Sequence, residues 1–241
     1  MKVACVVPAF NEADRIGRVL DVVSRCTGVN EVIVIDDGST DGTHAAASRY
    51  EGLRVYSLPR NAGKGAAMQA GATLTNADVL LFLDADLINL TQDHVERLLA
   101  PVVSGDATMA IGRFRGGRFL TDLAQKISPN ISGQRAVLRD HFLKVPRLQA
   151  ARMDVEVRIN RYARRHRWRV KYVSLLKVTH PLKEEKLGVF RGVLARTRMY
   201  REILVAVLLD RNGADGATPA TAVVKLIERR RTKHSVRNDR R

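Results

Sequence analysis

The segment VLLFLDADLIN, residues 79–89, has five apolar residues that run directly into two acidic residues, Asp84 and Asp86. A strand with one face in water alternates apolar and polar residues, whereas an unbroken apolar run is typical of a strand covered on both faces. Such strands lie inside parallel sheets, and these sheets bind ligands beyond the carboxyl ends of their strands. The segment therefore predicts a buried parallel strand with both carboxylates at the ligand-binding edge.

The rest of the first half alternates between segments of strand length and segments with helical spacing. The predicted strands cover 2–8, 31–36, 53–58, 78–84 and 108–113, and the clearest helices cover 14–26 and 93–103. This alternation is typical of right-handed βαβ units. We expect an α/β fold whose central sheet is mostly parallel and is flanked by helices.

The pattern changes after residue 113. The sequence predicts a loop over 114–130, helices over 132–143 and 153–166, a strand over 168–176 and an extended loop over 177–186. Residues 187–209 place apolar side chains on one stripe and are typical of an amphipathic helix.

The excess of positive charge lies entirely in the second half of the chain. The formal net charge is +16, of which residues 1–112 carry −5 and residues 113–241 carry +21. Such a surplus attracts nucleic acid, an anionic membrane surface or a phosphorylated substrate. We do not expect nucleic acid, because aromatic residues make up only 5% of the chain and it has no nucleic-acid-binding motif.

The sequence suggests a cytoplasmic protein. Its longest apolar run, 203–209, is far shorter than the roughly 20 residues of a membrane-spanning helix. The first twelve residues lack the pattern of a signal peptide. Cys5 and Cys26 have no metal-like spacing, and we expect them to be small core residues.

The segment VIVIDDGSTDGT, 32–43, predicts a strand that ends in Asp36 and Asp37, a tight turn at Gly38 and a helix cap at Asp41. A carboxylate at a strand end can accept a hydrogen bond from a nucleobase. The alternative, a capped turn without a ligand, accounts for Asp41 better than for Asp37.

The segment RNAGKGAAMQAG, 60–71, matches neither of two phosphate-binding patterns. Gly65 follows Lys64 where a Walker loop needs serine or threonine, and Met68 occupies the third glycine position of a dinucleotide fingerprint. What remains is a Gly-Lys-Gly turn that opens a helix of small residues. It could bring an amine or backbone N–H groups to a nucleotide, or it could serve a close helix–sheet contact.

Asp84 and Asp86 repel each other and favour a divalent cation. Mg²⁺ and Mn²⁺ prefer carboxylate oxygens and share their remaining positions with water and phosphate oxygens, so one or two carboxylates suffice. An acid–base pair is less suitable, because two residues of one strand do not flank a bond. A solvated strand end without metal is the alternative.

Four motifs, in order, resemble those of family 2 nucleotide-sugar glycosyltransferases with the GT-A fold. They are VVPAFNE (6–12), VIVIDDGSTDGT (32–43), NAGKGAA (61–67) and LFLDADL (81–87). Further on, SGQRAVLRD (132–140) resembles the Ser-Gly-x-Arg-Ala segment of polyprenyl-phosphate sugar transferases. The segment DADLINL and the later THPL instead resemble glucosyl-3-phosphoglycerate synthases, so the sequence lies between two subfamilies.

The resemblance implies a site for a nucleoside-diphosphate sugar, with UDP-glucose as the first guess. Six residues would bind this donor: Pro8, Phe10, Glu12, Asp37, Lys64 and Asp84. The first three would line the nucleoside pocket, Asp37 would bind the base, and Asp84 would meet the ribose or the sugar. Asp86 would hold Mg²⁺ or Mn²⁺, and His180 matches a histidine ligand of the phosphoglycerate-type enzymes. Ile88 departs from the glutamine of many polyprenyl-phosphate transferases.

The resemblance also implies a hexose transfer to an acceptor. Four arginines would bind phosphates of donor or acceptor: Arg113, Arg115, Arg118 and Arg135. Solvated surface arginines are the alternative. Asp154 and Glu156 lie where the family places an acceptor-side carboxylate, and would serve a hydroxyl acceptor as general base. A phosphate acceptor is already ionised and needs none.

We expect one catalytic domain with a donor half, 1–112, and an acceptor half, 113–185. The amphipathic helix within 186–212 would follow it, and then a basic tail, 213–241, which we expect to be mobile. The acceptor would be anionic: a lipid phosphate at the inner membrane face or a soluble molecule such as phosphoglycerate. The helix would contact the membrane interface, or complete the core or a homodimer. A non-catalytic protein that binds a nucleotide sugar or nucleic acid is the remaining alternative.

Overall fold

The computed structural model describes residues 1–115, 132–151 and 154–179. Within them the chain forms a seven-stranded sheet. The strands are β1 Val3–Ala9, β2 Glu31–Asp36, β3 Arg54–Ser57, β4 Val79–Phe82, β5 Met109–Arg115, β6 Arg135–Leu138 and β7 Val170–Leu176. The helices are α1 Ile16–Val23, α2 Thr43–Ser48, α3 Lys64–Thr73, α4 Gln92–Val103, α5 Arg139–Leu143 and α6 Val155–Arg165, with a 3₁₀ turn at Leu148–Ala150.

The sheet is mostly parallel, as the alternation of strands and helices predicts. Its strand order is β3-β2-β1-β4-β6-β5-β7, and β6 runs antiparallel to both of its neighbours. The strands β1, β2 and β4 are parallel and adjacent, so their carboxyl ends meet at one edge of the sheet. This edge gathers the acidic motifs that follow β2 and β4.

Helices cover both faces of the sheet and form two apolar clusters. One face packs against α1 and α4, and the other against α3, α5 and α6. Neighbouring residues of β1 alternate between the clusters, because Cys5 and Val7 contact the first and Ala4 and Val6 the second. All four residues of β4 are buried, which confirms that its unbroken apolar run is covered on both faces.

The small residues of α3 bring it unusually close to the sheet. A side chain at Gly71 would overlap the side chain of Val6 in β1, and one at Gly65 would overlap the backbone of Leu148 and Ala151. Burial of α3 along most of its length follows from this close approach. The helix–sheet contact considered for this segment is therefore present in the fold.

The predicted helix over 132–143 is wrong in its first part. Residues 135–138 form β6, and the helix begins only at Arg139. Arg135 pairs with Phe82 of β4 and with Ile111 of β5, so hydrogen bonding to strands distant in sequence determines the local conformation. Helical spacing over so few residues does not distinguish a buried strand from a helix.

Several expectations fall on residues outside the described ranges. These are most of the loop 114–130, His180, the amphipathic helix at 187–209 and the tail 213–241. In the part of the chain that the structure describes, no helix combines the length and apolar character needed to cross a bilayer.

Candidate active site

The loops after β1 and β2 form one hydrogen-bonded unit at the carboxyl edge of the sheet. The backbone N–H of Asn11 donates to Ser39 Oγ over 2.9 Å, and Asn11 Oδ1 accepts from the N–H of Thr40 over 2.9 Å. The N–H of Glu12 donates to Thr43 Oγ1, the first residue of α2. Phe10, next to these contacts, leaves 42% of its surface exposed. Pro8 is half-buried at the same edge, and the nucleoside pocket formed by these residues stays a prediction.

Asp37 joins the end of β2 to the Gly-Lys-Gly turn. Its two carboxylate oxygens accept hydrogen bonds from the backbone N–H groups of Ala62 and Gly63, each over 2.8 Å. Gly38, with a φ of 70°, packs so closely on the backbone of Arg60 that a side chain there would overlap it. Asp37 therefore positions the turn that carries Lys64, and its predicted contact with the base stays a prediction.

Lys64 connects Asp84, predicted to lie on the donor side, to Glu156, predicted to lie on the acceptor side. Its Nζ lies 2.6 Å from Asp84 Oδ1 and 2.6 Å from Glu156 Oε1. Burial alone would lower the pKa of Lys64, but Asp84 and Glu156 outweigh this effect and raise it above its ordinary value. Lys64 is therefore a permanent cation between two carboxylates.

The two predicted acceptor-side carboxylates have different surroundings. Glu156, in the first turn of α6, is 6% exposed and hydrogen-bonded to Lys64. Asp154, just before α6, lies 2.5 Å from Arg158 Nε, one turn further along the helix. The structure thus ties Glu156 to the Asp84 side of the site, while Asp154 pairs within its own helix.

Gln134 is a site residue that the sequence does not single out. Its Nε2 donates to Asp84 Oδ2 over 2.8 Å, and its Oε1 accepts from Ser132 Oγ over 2.8 Å. The position is the variable one of the Ser-Gly-x-Arg-Ala segment, so the motif gives no indication of its contact. Only the antiparallel return of β6 beside β4 brings it to Asp84.

Arg135 lies in the core beneath these residues. It is fully buried. Its Nη2 donates to the carbonyl oxygen of Ser132 over 2.5 Å, and its Nη1 donates to Asn160 Oδ1 over 3.3 Å. Burial lowers the pKa of Arg135, although Glu156 and Asp84 act in the opposite direction. Among the described residues, its Nε has no hydrogen-bond partner. This buried position does not support the predicted contact with a phosphate.

The other predicted arginines lie at or beyond the end of β5. The guanidinium carbon of Arg113 is 3.6 Å from the ring centroid of Tyr172 in β7. The contact of Arg113 with a phosphate stays a prediction. Arg115 is exposed at the end of the strand, and Arg118 lies outside the described residues.

Asp86 is the residue that the sequence predicts to hold a metal ion, and this role stays a prediction. It is half-buried two residues beyond Asp84, and Ile88 forms an antiparallel bridge with Thr179, the residue before His180. Within residues 1–115, 132–151 and 154–179, no group of three His, Cys, Asp or Glu side chains could hold a metal by itself. One carboxylate with shared phosphate oxygens is a donor set that suits Mg²⁺ or Mn²⁺.

The family model described as Glycosyl transferase family 2 matches residues 4–173. Glucosyl-3-phosphoglycerate synthase of Mycolicibacterium paratuberculosis is 36% identical over 121 residues, which cover 46% of this chain and 36% of that protein. Dodecaprenyl-phosphate galacturonate synthase of Rhizobium johnstonii is 36% identical over 102 residues, covering 39% and 30%. The matches thus span about a third of the length of these relatives.

Solved structures of glucosyl-3-phosphoglycerate synthase from Mycobacterium tuberculosis resemble the chain over a longer range. The complex with phosphoglyceric acid has a TM-score of 0.72 and 27% identity, over 89% of this chain and 81% of that one. Related structures contain UDP with Mn²⁺ or Mg²⁺. The motifs, the sheet topology and these matches together show that the chain belongs to glycosyl transferase family 2 and has the GT-A fold.

Proposed function

We propose that this chain is a metal-dependent glycosyltransferase that moves glucose from UDP-glucose to an anionic acceptor, first a small phosphorylated acid such as 3-phosphoglycerate. The observation that carries the proposal is the cluster at the carboxyl edge of β4. There, Lys64 links Asp84 to Glu156, and Asp86 lies two residues further along. The likeness to the M. tuberculosis synthase bound to Mn²⁺, UDP and glucosyl-3-phosphoglycerate supports the choice of donor and acceptor.

The charges of the cluster suit a diphosphate leaving group. Lys64 offsets one of the two negative charges of Asp84 and Glu156, which reduces the repulsion between these carboxylates and the donor phosphates. Asp86, with His180 by the family resemblance, would hold Mg²⁺ or Mn²⁺, which supplies positive charge for the departing diphosphate when it is bound. Phe10, Glu12 and Asp37 would bind the nucleoside. The donor half is then 1–112, as proposed from the sequence.

The acceptor half, 113–185, would supply cations for the acceptor phosphate and a base for its hydroxyl. Arg113 and Arg115 at the end of β5, and Arg118 beyond it, would bind the phosphate. A hydroxyl acceptor must lose a proton, and Asp154 or Glu156 would accept it. Glu156 is hydrogen-bonded to Lys64, so Asp154 is the better candidate once an acceptor displaces Arg158.

A lipid phosphate is the second candidate acceptor. The similarity to the dodecaprenyl-phosphate enzyme and the +21 charge of residues 113–241 favour it. In that case the ionised phosphate needs no base, and Asp154 becomes dispensable. If the acceptor is a lipid phosphate, the segment 187–209 would contact the inner face of the membrane. A homodimer through the same segment is compatible with both acceptors.

The experiment that tests the proposal uses the full chain, Mn²⁺ and radiolabelled UDP-glucose with either 3-phosphoglycerate or a short polyprenyl phosphate. Label in a water-soluble, phosphatase-sensitive product supports the first acceptor, and label in the butanol extract supports the second. An Asp86→Asn variant should lose the transfer, while Asp106→Asn, which changes an exposed acid near β5, should keep it. Absence of transfer from UDP-glucose to either acceptor would contradict the proposal.

A further inference from the structure

Gln134 makes a buried, oriented hydrogen bond to Asp84. Its Nε2 donates to Asp84 Oδ2 over 2.8 Å, and the side chain is fully buried. Ser132 Oγ donates to the amide oxygen of Gln134 over 2.8 Å. Because a carboxylate only accepts hydrogen bonds, the NH₂ group must face Asp84, and the serine hydroxyl stabilises that same orientation of the amide.

The backbone on both sides of Gln134 is anchored to neighbouring elements. The carbonyl oxygen of Gln134 accepts from the N–H of Gly112 in β5 over 2.9 Å. The carbonyl oxygen of Ser132 accepts from the buried guanidinium of Arg135 over 2.5 Å. Gln134 therefore approaches Asp84 from a support that is attached to the core, and not from a free loop.

Gly133 shows that the same segment closely surrounds the ion pair above it. A side chain at this position would overlap both the carboxylate of Asp84 and the ammonium group of Lys64. The segment 132–134 thus supplies a side-chain donor to one oxygen of Asp84 and leaves space for Lys64 on the other oxygen. Two donors on opposite oxygens define the plane of the carboxylate.

We propose that Gln134 is a positioning residue which, oriented by Ser132, sets the direction in which Asp84 meets the donor. This inference rests on the proposed function, because it assigns Asp84 to donor recognition. Since Gln134 occupies the variable position of the Ser-Gly-x-Arg-Ala segment, a change of side chain there would alter the orientation of Asp84 without changing any motif residue.

The test is a double-mutant cycle between Gln134 and Asp84. Gln134→Leu should lower kcat/KM for UDP-glucose roughly tenfold to a hundredfold, the effect expected for loss of a hydrogen bond to a charged group. In the Asp84→Asn background the same change should lower kcat/KM less than about threefold, since its target is already altered. If each substitution lowered kcat/KM by its own factor and the two factors multiplied in the double variant, the proposal would be overturned, because a general packing defect predicts this result.

Ser132 and a second buried glutamine provide the controls. Ser132→Ala should cause a smaller loss, and no further loss once Gln134 is leucine; additive losses would overturn its orienting role. Gln69→Leu replaces a buried glutamine of α3 whose Oε1 has no partner among the described residues. It should leave kcat/KM within about twofold.

The same double-mutant cycle is also measured through the unfolding midpoints of the variants, so the test does not depend on residual activity. If Gln134 contacts Asp84 as described, the midpoint shifts of the two single variants should not add in the double variant. A wild-type chain that transfers no sugar would contradict the proposed function alone, and the midpoints would still test the contact. Additive shifts would overturn the positioning role.

Discussion

Lys64 determines the charge balance of the candidate site. It is 27% exposed in its side chain and lies between Asp84 and Glu156, whose carboxylates would be left close together without it. Removing one partner of a largely buried ion pair lowers the free energy of unfolding by more than an exposed ion pair contributes to it, because the remaining charge stays desolvated. The effect is smaller here than for full burial, since water reaches part of the ammonium group.

Lys64→Met is expected to lower the free energy of unfolding by about 1–3 kcal/mol, measured by urea denaturation. Lys171→Met is the matched control, because Lys171 pairs with Asp106 at an exposed position, and its effect should stay within about 0.5 kcal/mol. Equal effects of the two substitutions would contradict the importance of the Lys64 cluster.

The pH dependence follows from the raised pKa of Lys64. A cation whose pKa is higher in the folded state contributes its full stability below the unfolded value, roughly 10.4, and loses it only as the pH rises through the folded value. The difference in unfolding free energy between wild type and Lys64→Met should therefore be the same at pH 7 and pH 9. A wild type that gains stability relative to Lys64→Met between pH 7 and pH 9 would mean that the pKa is lowered in the folded state.

Asp86→Asn is expected to reduce transferase activity about a hundredfold to a thousandfold, because the neutral amide binds a divalent cation weakly. In wild type, UDP with Mn²⁺ should raise the melting temperature, and EDTA should remove the shift. The variant should show no such shift. A Mn²⁺-dependent shift that survives in Asp86→Asn would assign the metal to other residues.

At the scale of residues, sequence reasoning identifies single positions better than the contacts between them. Asp84, Asp86 and Lys64 stand out because they follow predicted strands or open a helix. The ion pair between Lys64 and Glu156 joins residues 92 positions apart, and no local pattern indicates it. The sequence predicts that Arg135 binds a phosphate, yet the sheet buries it.

At the scale of elements, β6 shows where local pattern fails. The residues of this strand have no alternation that separates strand from helix, and their conformation comes from pairing with β4 and β5. The longer elements are different, because α1 and α4 have enough residues for their apolar spacing to be decisive. The predicted helix over 153–166 and the strand over 168–176 agree with α6 and β7 for the same reason.

Gly71→Ala in α3 is expected to destabilise the fold by about 1–3 kcal/mol, since its methyl group would overlap Val6 in β1. Urea denaturation measures this loss. Gly28→Ala is the matched control, because its added carbon would meet Leu99 at an ordinary contact distance of 3.8 Å. If Gly71→Ala were neutral, helix and sheet would not approach as closely as described.

At the scale of the whole molecule, the layered packing buries both cysteines. Burial raises the pKa of Cys5 far above its ordinary value, and raises the pKa of Cys26 to about 11. Both thiols are therefore protonated at pH 8, and reagents that need a thiolate should not modify them in the folded protein. We expect Ellman's reagent to react with two thiols only after urea unfolds the chain. Rapid reaction of either thiol in buffer would contradict the burial.

The separation of charge along the chain predicts that the KM for an anionic acceptor depends on the salt concentration. Residues 113–241 carry a net charge of +21, which should attract an anionic acceptor from a distance. The KM for 3-phosphoglycerate is therefore expected to rise several-fold between about 50 and 500 mM NaCl, because salt screens this attraction. The kcat at saturating acceptor should change little. A KM that does not depend on salt would exclude the acceptor half as the source of the attraction.

The overall α/β architecture could be predicted from the sequence because the alternation of strands and helices in the first half leaves few topologies. The position of β6 could not, since nothing in residues 113–143 specifies that the chain reverses direction between two existing strands. The proposed acceptor half, 113–185, therefore contributes a strand to the interior of the sheet and not only to its margin.

This insertion of β6 limits how the protein can be recombined with its relatives. A chimaera joined near residue 112 would take β4 from one parent and β6 from the other, so that the hydrogen-bond ladders on both sides of β6 would join strands that had not evolved together. A crossover after Leu138 keeps β4, β5 and β6 from the same parent, together with the Gln134 contact. Engineering of acceptor preference by segment exchange should therefore begin at α5.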